Sequence, residues 1–183
     1  LLVSTPEGRT MLIDGGGLAS FGGSPARSLD VGEDVVSPYL WSRSIRALDV
    51  IAISHAHYDH IGGLPALLEN FRVGELWLGN NPSTPDYERV LETARRHGVA
   101  LVRLARGDAR ELGGVTFEVL APARDYVPRS KPSNDDSLVL AARYGRRSFL
   151  LAGDIERRAE RWLLQDGLAA HADVLKVPHH GSK

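Results

Sequence analysis

The stretch that decides the fold runs from Val50 to Gly63 and reads Val50-Ile51-Ala52-Ile53-Ser54-His55-Ala56-His57-Tyr58-Asp59-His60-Ile61-Gly62-Gly63. Its first four residues are apolar and mostly β-branched, which predicts a buried strand. Three histidines and one aspartate then fall within six residues. Imidazole and carboxylate groups bind Zn²⁺ and similar cations. A polar surface turn would not explain three imidazoles that repel one another when protonated, so we interpret the loop as a metal site.

Two later strands end in the same kind of residue. Asp154 follows the apolar run Phe149–Ala152, and His179 and His180 follow Val174–Val177. Taken alone, Asp154 would be the N-cap of the next helix. Because sites in layered α/β folds assemble at strand ends, we expect these groups to join the loop at residues 55–60 in one metal centre.

Asp14 also follows an apolar run, Met11–Ile13, and three glycines come after it. A carboxylate in this position is typical of the groups that orient a metal-binding imidazole. An aspartate before glycines is equally typical of a turn. Both interpretations of Asp14 stay open at this point.

The rest of the chain alternates strand and helix patterns. Nine strands are predicted, at Leu1–Ser4, Met11–Ile13, Val50–Ile53, Glu75–Leu78, Ala100–Leu104, Val115–Leu120, Leu138–Arg143, Phe149–Ala152 and Val174–Val177. Helices are predicted at Leu64–Asn70, Asp86–His97 and Glu156–Gln165. Irregular stretches run from Gly15 to Gly32 and from Pro122 to Asp136. This order predicts an α/β (α+β) layered fold with mixed sheets.

Composition sets limits on the chemistry. The 183 residues fit one domain, and 43% of them are hydrophobic, which is enough for a sizeable core. With no cysteine, any metal must be held by imidazole and carboxylate groups. The net charge of −1 means that an anionic substrate must be held by a local patch. No apolar run reaches the roughly 20 residues of a membrane span, so we expect a soluble domain without direct membrane insertion.

Together these segments resemble a known family. Residues His55 to His60 are similar to the HxHxDH signature of the metallo-β-lactamase superfamily, the Asp154 strand to its bridging-aspartate strand, and Val177 to Ser182 to its last histidine motif. A closer resemblance is to the metallo-β-lactamase-like domain of the ComEC family of competence DNA-uptake channel proteins. It rests on residues 12–16, 30–33, 36–40, 54–63, 134–140, 153–154 and 175–182.

The resemblance implies an αββα sandwich of two mixed sheets flanked by helices, formed by residues 1–183 as one domain. Relative to the family domain, we expect an opening strand before Leu1 and further strands after Ser182 to be missing. By position, His55 and His57 would bind one metal ion, Asp59 and His60 the other, and Asp154 would bridge them. For the last ligand we favour His180 over His179, because the family places it directly before Gly181.

The third metal-binding histidine of the superfamily is absent from this sequence. Ser133-Asn134-Asp135-Asp136 occupies its region, so Asn134, Asp135 or water would take its place. Oxygen ligands favour harder cations. We therefore expect two divalent ions, either Mn²⁺ or Zn²⁺, with a shift toward manganese.

The implied activity is metal-dependent hydrolysis, and we expect a nuclease that cleaves DNA phosphodiesters with a metal-activated hydroxide during natural competence. The candidate catalytic residues are Asp59, Asp154 and His180, with Asp14 and Ser182 as supporting groups. DNA, expected to be single-stranded, would contact Arg124, Arg129 and Lys131. The domain would be tethered outside the cytoplasm to the membrane channel of its parent protein. The alternatives are a lactonase, thioesterase or cyclic phosphodiesterase, or a DNA-binding module with decayed catalysis.

Overall fold

A computed structural model describes residues 1–18, 29–165, 167 and 172–181, and for His180 only the backbone. The strands in these residues are β1 (Leu2–Ser4), β2 (Thr10–Ile13), β3 (Ala47–Ile53), β4 (Arg72–Leu78), β5 (Ala100–Arg103), β6 (Ala109–Leu112), β7 (Val115–Ala121), β8 (Val139–Tyr144), β9 (Arg147–Leu151) and β10 (Val174–Lys176). The α-helices are α1 (Ser37–Ser42), α2 (Tyr58–Ile61), α3 (Leu64–Asn70), α4 (Pro85–Arg96) and α5 (Arg157–Gln165). A π-helical segment covers Val31–Val36, and short 3₁₀ helices cover Asn134–Asp136 and His179–Gly181.

The strands form two mixed sheets of five strands each. The first sheet has the order β1-β2-β3-β4-β5, in which β1 is antiparallel and the other four strands are parallel. The second has the order β10-β9-β8-β7-β6, in which only β9 and β10 are parallel neighbours. Parallel neighbours end at the same edge of a sheet. The carboxyl ends of β2 and β3, and those of β9 and β10, therefore lie side by side.

Three apolar clusters define the layers. The middle cluster lies between the sheets and contains Met11, Trp77 and Phe117, whose side chains are almost completely buried. A second cluster joins the outer face of the first sheet to α3 and α4, and a third joins the second sheet to α5 through Leu163. The arrangement is helix, sheet, sheet, helix. This confirms the αββα sandwich of two mixed sheets that the resemblance implied.

All nine predicted strands are present, several of them extended by one to three residues at the amino end. The sequence patterns missed strand β6, the helical residues Val31–Ser42, the single turn of α2 and the two short 3₁₀ helices. Strand β6 lies at the edge of its sheet and reads Ala-Arg-Glu-Leu, with no apolar run to mark it. The helical residues Val31–Ser42 contain Gly32 and Pro38, which ordinarily indicate a break, and Pro38 lies in the first turn of α1, where proline is tolerated.

Glycines allow the loops around the histidine motif to approach one another. A Cβ atom on Gly32 would lie 1.9 Å from the carbonyl oxygen of Gly63, and one on Gly63 would lie 2.5 Å from the carbonyl oxygen of Gly15. These contacts exclude any side chain, so the π-helical segment packs directly on the chain that follows the motif. Within the described residues, no helix has the length and apolarity that crossing a bilayer requires.

Candidate metal centre

The histidine motif lies at the edge where parallel strands end. Asp14 directly follows β2, and Ser54 and His55 directly follow β3, its parallel neighbour. Asp154 follows β9 in the other sheet after a turn at Gly153, whose φ of +58° favours glycine. The strands thus bring these groups together from distant parts of the chain.

Each of the three motif histidines has an oxygen atom at one ring nitrogen. His55 Nδ1 is 3.0 Å from Ser54 Oγ, whose own proton is directed to Asp14 Oδ2 at 2.7 Å. His57 Nε2 donates to the backbone carbonyl of Pro132 at 3.1 Å. His60 Nδ1 donates to Asp14 Oδ2 at 2.8 Å. In all three rings the second nitrogen is directed at another potential ligand.

Those second nitrogens converge with Asp154. His55 Nε2 and His57 Nδ1 are 2.8 Å apart, and His60 Nε2 lies 3.1 Å from Asp154 Oδ2. The ligand atoms of His55, His60 and Asp154 all lie within 4.8 Å of one another, and the three residues are buried. Since metal-binding imidazoles usually donate their other N–H to a carbonyl or carboxylate, this donor set fits a divalent cation. We call the group His55, His57, Asp59, His60 and Asp154 the metal centre.

Burial and neighbouring charges shift the pKa values of His55 and His60 in opposite directions. Burial, with the nearby rings of His60 and His57, lowers the pKa of His55 to about 4, so this imidazole is neutral at physiological pH. For His60, burial opposes the charged form, but the hydrogen bond and charge of Asp14 outweigh it and raise the pKa. Burial likewise opposes the ionised form of Asp154, yet His60 and Lys176 hold its pKa below the ordinary value.

Asp59 is more exposed than the other members. Its Oδ2 lies 3.8 Å from His60 Nε2, and 44% of its side chain is accessible. It lies in the single turn of α2, directly before the buried His60. The carboxylate is therefore close enough to share a cation with His60 and is open to solvent on its outer side.

Asp14 supports the centre without being a member of the buried cluster. Its carboxylate accepts hydrogen bonds from the Ser54 backbone N–H at 2.8 Å and from the Ser54 hydroxyl, in addition to His60. Its φ of +62° is uncommon for a residue other than glycine, although aspartate and asparagine adopt it more often than most. Contacts with three donors explain why the backbone is held in this conformation, and they favour the orienting role for Asp14 over a simple turn.

The region of the absent third histidine lies beside the start of α5. Asn134 donates to Glu156 Oε1 at 2.8 Å and lies 3.3 Å from His179 Nε2, and Asp135 Oδ1 accepts from the Glu156 N–H at 3.1 Å. Among the described side chains, Asp135 and His179 are not part of the group that meets within 4.8 Å. His179 has a φ of +46°. The His180 side chain and Ser182 lie outside what the structure describes.

Three groups at the centre were not singled out from the sequence. They are the hydroxyl of Ser54, the carbonyl of Pro132 and the ammonium of Lys176, which lies 3.1 Å from Asp154 Oδ1. Ser54 and Lys176 each lie at the end of a strand that delivers ligands, and that position was the available signal. A backbone carbonyl leaves no signal in a sequence.

The predicted DNA contacts lie in the loop that carries Pro132. Arg124, Arg129 and Lys131 are all exposed, and Arg124 forms an ion pair with Asp108. Neither Arg129 nor Lys131 forms an ion pair with any residue that the structure describes. Because Lys131 precedes the residue that bonds His57, this part of the loop reaches the metal centre.

A cavity of about 520 Å³ adjoins the centre. Asp14, Ser54, Asp59, His60 and Lys176 contribute its polar lining. Most of its other walls are apolar and include Leu12, Leu138 and Leu151. Asp14, Asp59 and Lys176 can therefore be approached from this cavity.

Known proteins resemble the whole chain. ComE operon protein 3 of Bacillus subtilis is 37% identical over 189 aligned residues, which cover 100% of this chain and 24% of that protein. Recombination protein 2 of Haemophilus influenzae is 29% identical over 175 residues, which cover 95% of this chain and 20% of that protein. The chain thus spans about a quarter or less of the length of these relatives.

Solved structures share the fold. A HARLDQ-motif mutant of a metallo-β-lactamase from Cronobacter sakazakii superposes with a TM-score of 0.58 at 18% identity, covering 98% of this chain and 72% of that one. The family profile described as "Metallo-beta-lactamase superfamily" matches residues 1–183. One explanation accounts for the strand order, the histidine motif at the strand ends and this match over the full length. The chain belongs to the metallo-β-lactamase superfamily.

Proposed function

We propose that this chain is a nuclease that hydrolyses DNA phosphodiester bonds with two divalent ions, Mn²⁺ or Zn²⁺. The observation that carries the proposal is the hydrogen bonding of His55, His57 and His60. Each ring has an oxygen atom at one nitrogen and directs the other toward a further ligand. Proteins arrange imidazoles in this way to bind metals. Membership of a superfamily of metal-dependent hydrolases supports the same reading.

We assign His55 Nε2 and His57 Nδ1 to one ion because these atoms face each other at 2.8 Å. Asp59 and His60 Nε2 would hold the other ion, and the buried Asp154 would be shared. His180 completes the proposed set, with His179, Asn134 and Asp135 as further candidates beside it. When bound, the ions would activate water for attack and offset the negative charge that develops on the phosphate oxygens.

The chain's own residues orient the metal-binding side chains and supply the ligands. Asp14 and Ser54 fix the orientation of the His60 and His55 rings through hydrogen bonds of 2.7–3.0 Å. Asp59 and Asp154 act as ligands that orient the reacting groups rather than as nucleophiles. The adjoining cavity, whose walls are mostly apolar, gives a path to one side of the centre.

DNA is the proposed substrate for two reasons. Arg129 and Lys131 are exposed cations in the loop that bonds His57, and such residues bind phosphate groups. The names ComE operon protein 3 and Recombination protein 2, together with the resemblance to the ComEC family of competence proteins, support a role for this chain in DNA uptake. We further propose that the substrate is single-stranded, and that the domain lies outside the cytoplasm, tethered to the membrane channel of its parent protein.

The experiment is hydrolysis of an end-labelled single-stranded oligonucleotide in EDTA, Mn²⁺, Zn²⁺ or Mg²⁺, with the His57→Ala protein as control. We expect metal-dependent cleavage that the substitution abolishes. Turnover of bis(p-nitrophenyl) phosphate without cleavage of DNA would instead indicate a small-molecule hydrolase. DNA binding without any hydrolysis would indicate a binding module, and either result would overturn the nuclease proposal.

A further inference from the structure

Lys176 is the last residue of β10 and extends toward the metal centre. Its ammonium donates to the carbonyl oxygen of Gly153 at 2.8 Å and to Asp154 Oδ1 at 3.1 Å. The Asp154 side chain is 2% exposed, whereas that of Lys176 is 35% exposed. The lysine therefore reaches a buried carboxylate from the side of the cavity.

The two oxygens of Asp154 have different partners. Oδ1 accepts from Lys176, and Oδ2 faces His60 Nε2 at 3.1 Å. The backbone is held at the same place, because the Asp154 N–H donates to Ser137 Oγ at 3.0 Å and Lys176 bonds the preceding carbonyl. Rotation of the carboxylate would break both side-chain contacts.

We propose that Lys176 is a positioning residue for the metal centre, which holds Asp154 Oδ1 so that Oδ2 is presented to the ions. This inference rests on the metal-binding role proposed above for Asp154. In this role Lys176 acts through its hydrogen bond to Asp154, and its positive charge has a separate effect. An ammonium so close to a ligand repels a divalent cation, whereas a hydrogen bond that orients a ligand strengthens metal binding.

These two effects have opposite signs, so the affinity for metal separates them. If Lys176 acts by positioning, its removal weakens the binding of a divalent ion by about 10- to 100-fold. If it acts only as a charge, its removal strengthens binding. The same substitution should lower kcat and change KM little, because the ligand geometry and not the DNA contact is altered.

The test is titration calorimetry of Mn²⁺ into chelator-treated protein, for wild type, Lys176→Met and Lys176→Arg. A matched control is Arg147→Met, which removes a cation from the opposite end of the neighbouring strand β9, where Arg147 pairs with Asp173. We expect weaker binding only for Lys176→Met, with most of the affinity recovered by Lys176→Arg, which keeps a donor and a charge. Unchanged or tighter binding in Lys176→Met would overturn the inference.

Circular dichroism would establish that each variant is folded, and Lys176→Gln replaces the methionine variant if that one does not fold. The outcome is separable from that of the nuclease proposal. If wild type binds Mn²⁺ but cleaves no DNA, the nuclease proposal fails while the calorimetric comparison still decides the role of Lys176. If DNA is cleaved and Lys176→Met binds Mn²⁺ as wild type does, only the inference on Lys176 fails.

Discussion

His60 and Asp154 are 94 positions apart in the chain, and their side chains meet with 3.1 Å between Nε2 and Oδ2. His60 follows a strand of the first sheet, and Asp154 follows a strand of the second. The contact therefore joins the two sheets at the edge where their strands end. A cation bound between these groups would stabilise the sandwich as well as take part in hydrolysis.

This relationship predicts the behaviour of Asp154→Asn. The substitution keeps the size of the side chain but leaves His60 and Lys176 beside an uncharged group. We expect the free energy of unfolding of the metal-free protein to fall by about 2 kcal/mol. Mn²⁺ should raise the midpoint temperature of thermal denaturation much less in Asp154→Asn than in wild type. An equal Mn²⁺-induced shift in both proteins would remove Asp154 from the metal centre.

Asp14→Asn tests the support for His60. Asparagine tolerates the φ of +62° at this position, so the backbone should be preserved. The loss of charge opposite His60 Nδ1 should reduce metal affinity or hydrolysis by about 10- to 100-fold. Asp49→Asn is the control, because Asp49 is an ion-paired carboxylate within β3 that contacts Arg9 and Thr10 instead of the centre. Equal effects of the two substitutions would contradict the orienting role.

Arg129→Ala tests the DNA contact. Arg129 is exposed in the loop that bonds His57 and forms no ion pair with a described residue, so its charge is available to a phosphate group. We expect weaker binding of a single-stranded oligonucleotide, and a slope of log affinity against log salt that is shallower by about 0.7. The measurement is fluorescence anisotropy across a salt titration. An unchanged slope would exclude Arg129 from the DNA surface.

Gly32→Ala tests the packing beneath the motif. The added methyl group would meet the Gly63 carbonyl at 1.9 Å, so the π-helical segment must move away. We expect a loss of about 1–3 kcal/mol in the free energy of unfolding, together with weaker metal binding. In Gly98→Ala, the new methyl group meets nothing within 4 Å, and only the positive φ is strained. That control should lose stability without a change in metal affinity, and the same pattern in Gly32→Ala would show that the packing does not support the site.

Much of the fold could be predicted because its strands are continuous apolar runs. The β3 run ending at Ile53 and the β9 run ending at Leu151 both showed where polar ligands would lie. Strand β6 could not be found this way, because its exposed edge position leaves it polar. The helical residues after Val31 were hidden by Gly32, which is there for a close contact with Gly63 and not to end a helix.

The candidate site, like the fold, was predictable from the sequence only in part. Spacing within the motif indicated His55, His57 and His60. Their contact with Asp154 depends on the packing of one sheet against the other, because β3 and β9 belong to different sheets. The contact of His57 with Pro132 could not be predicted, because it joins residues 75 positions apart through a backbone atom. Lys176 was overlooked because a lysine within a strand ordinarily faces solvent. Only the packing of β10 against β9 directs it to Asp154.

The measurement that tests the central claim most directly is the number and position of bound metal ions. Crystals grown with Mn²⁺ or Zn²⁺ would be examined by anomalous diffraction, with metal content measured separately on dialysed protein. We expect two ions per chain, one at His55 and His57 and the other at Asp59 and His60, with Asp154 in contact with both. Absence of ions at these atoms in folded protein, or binding only elsewhere, would contradict the assignment of this cluster as the metal centre.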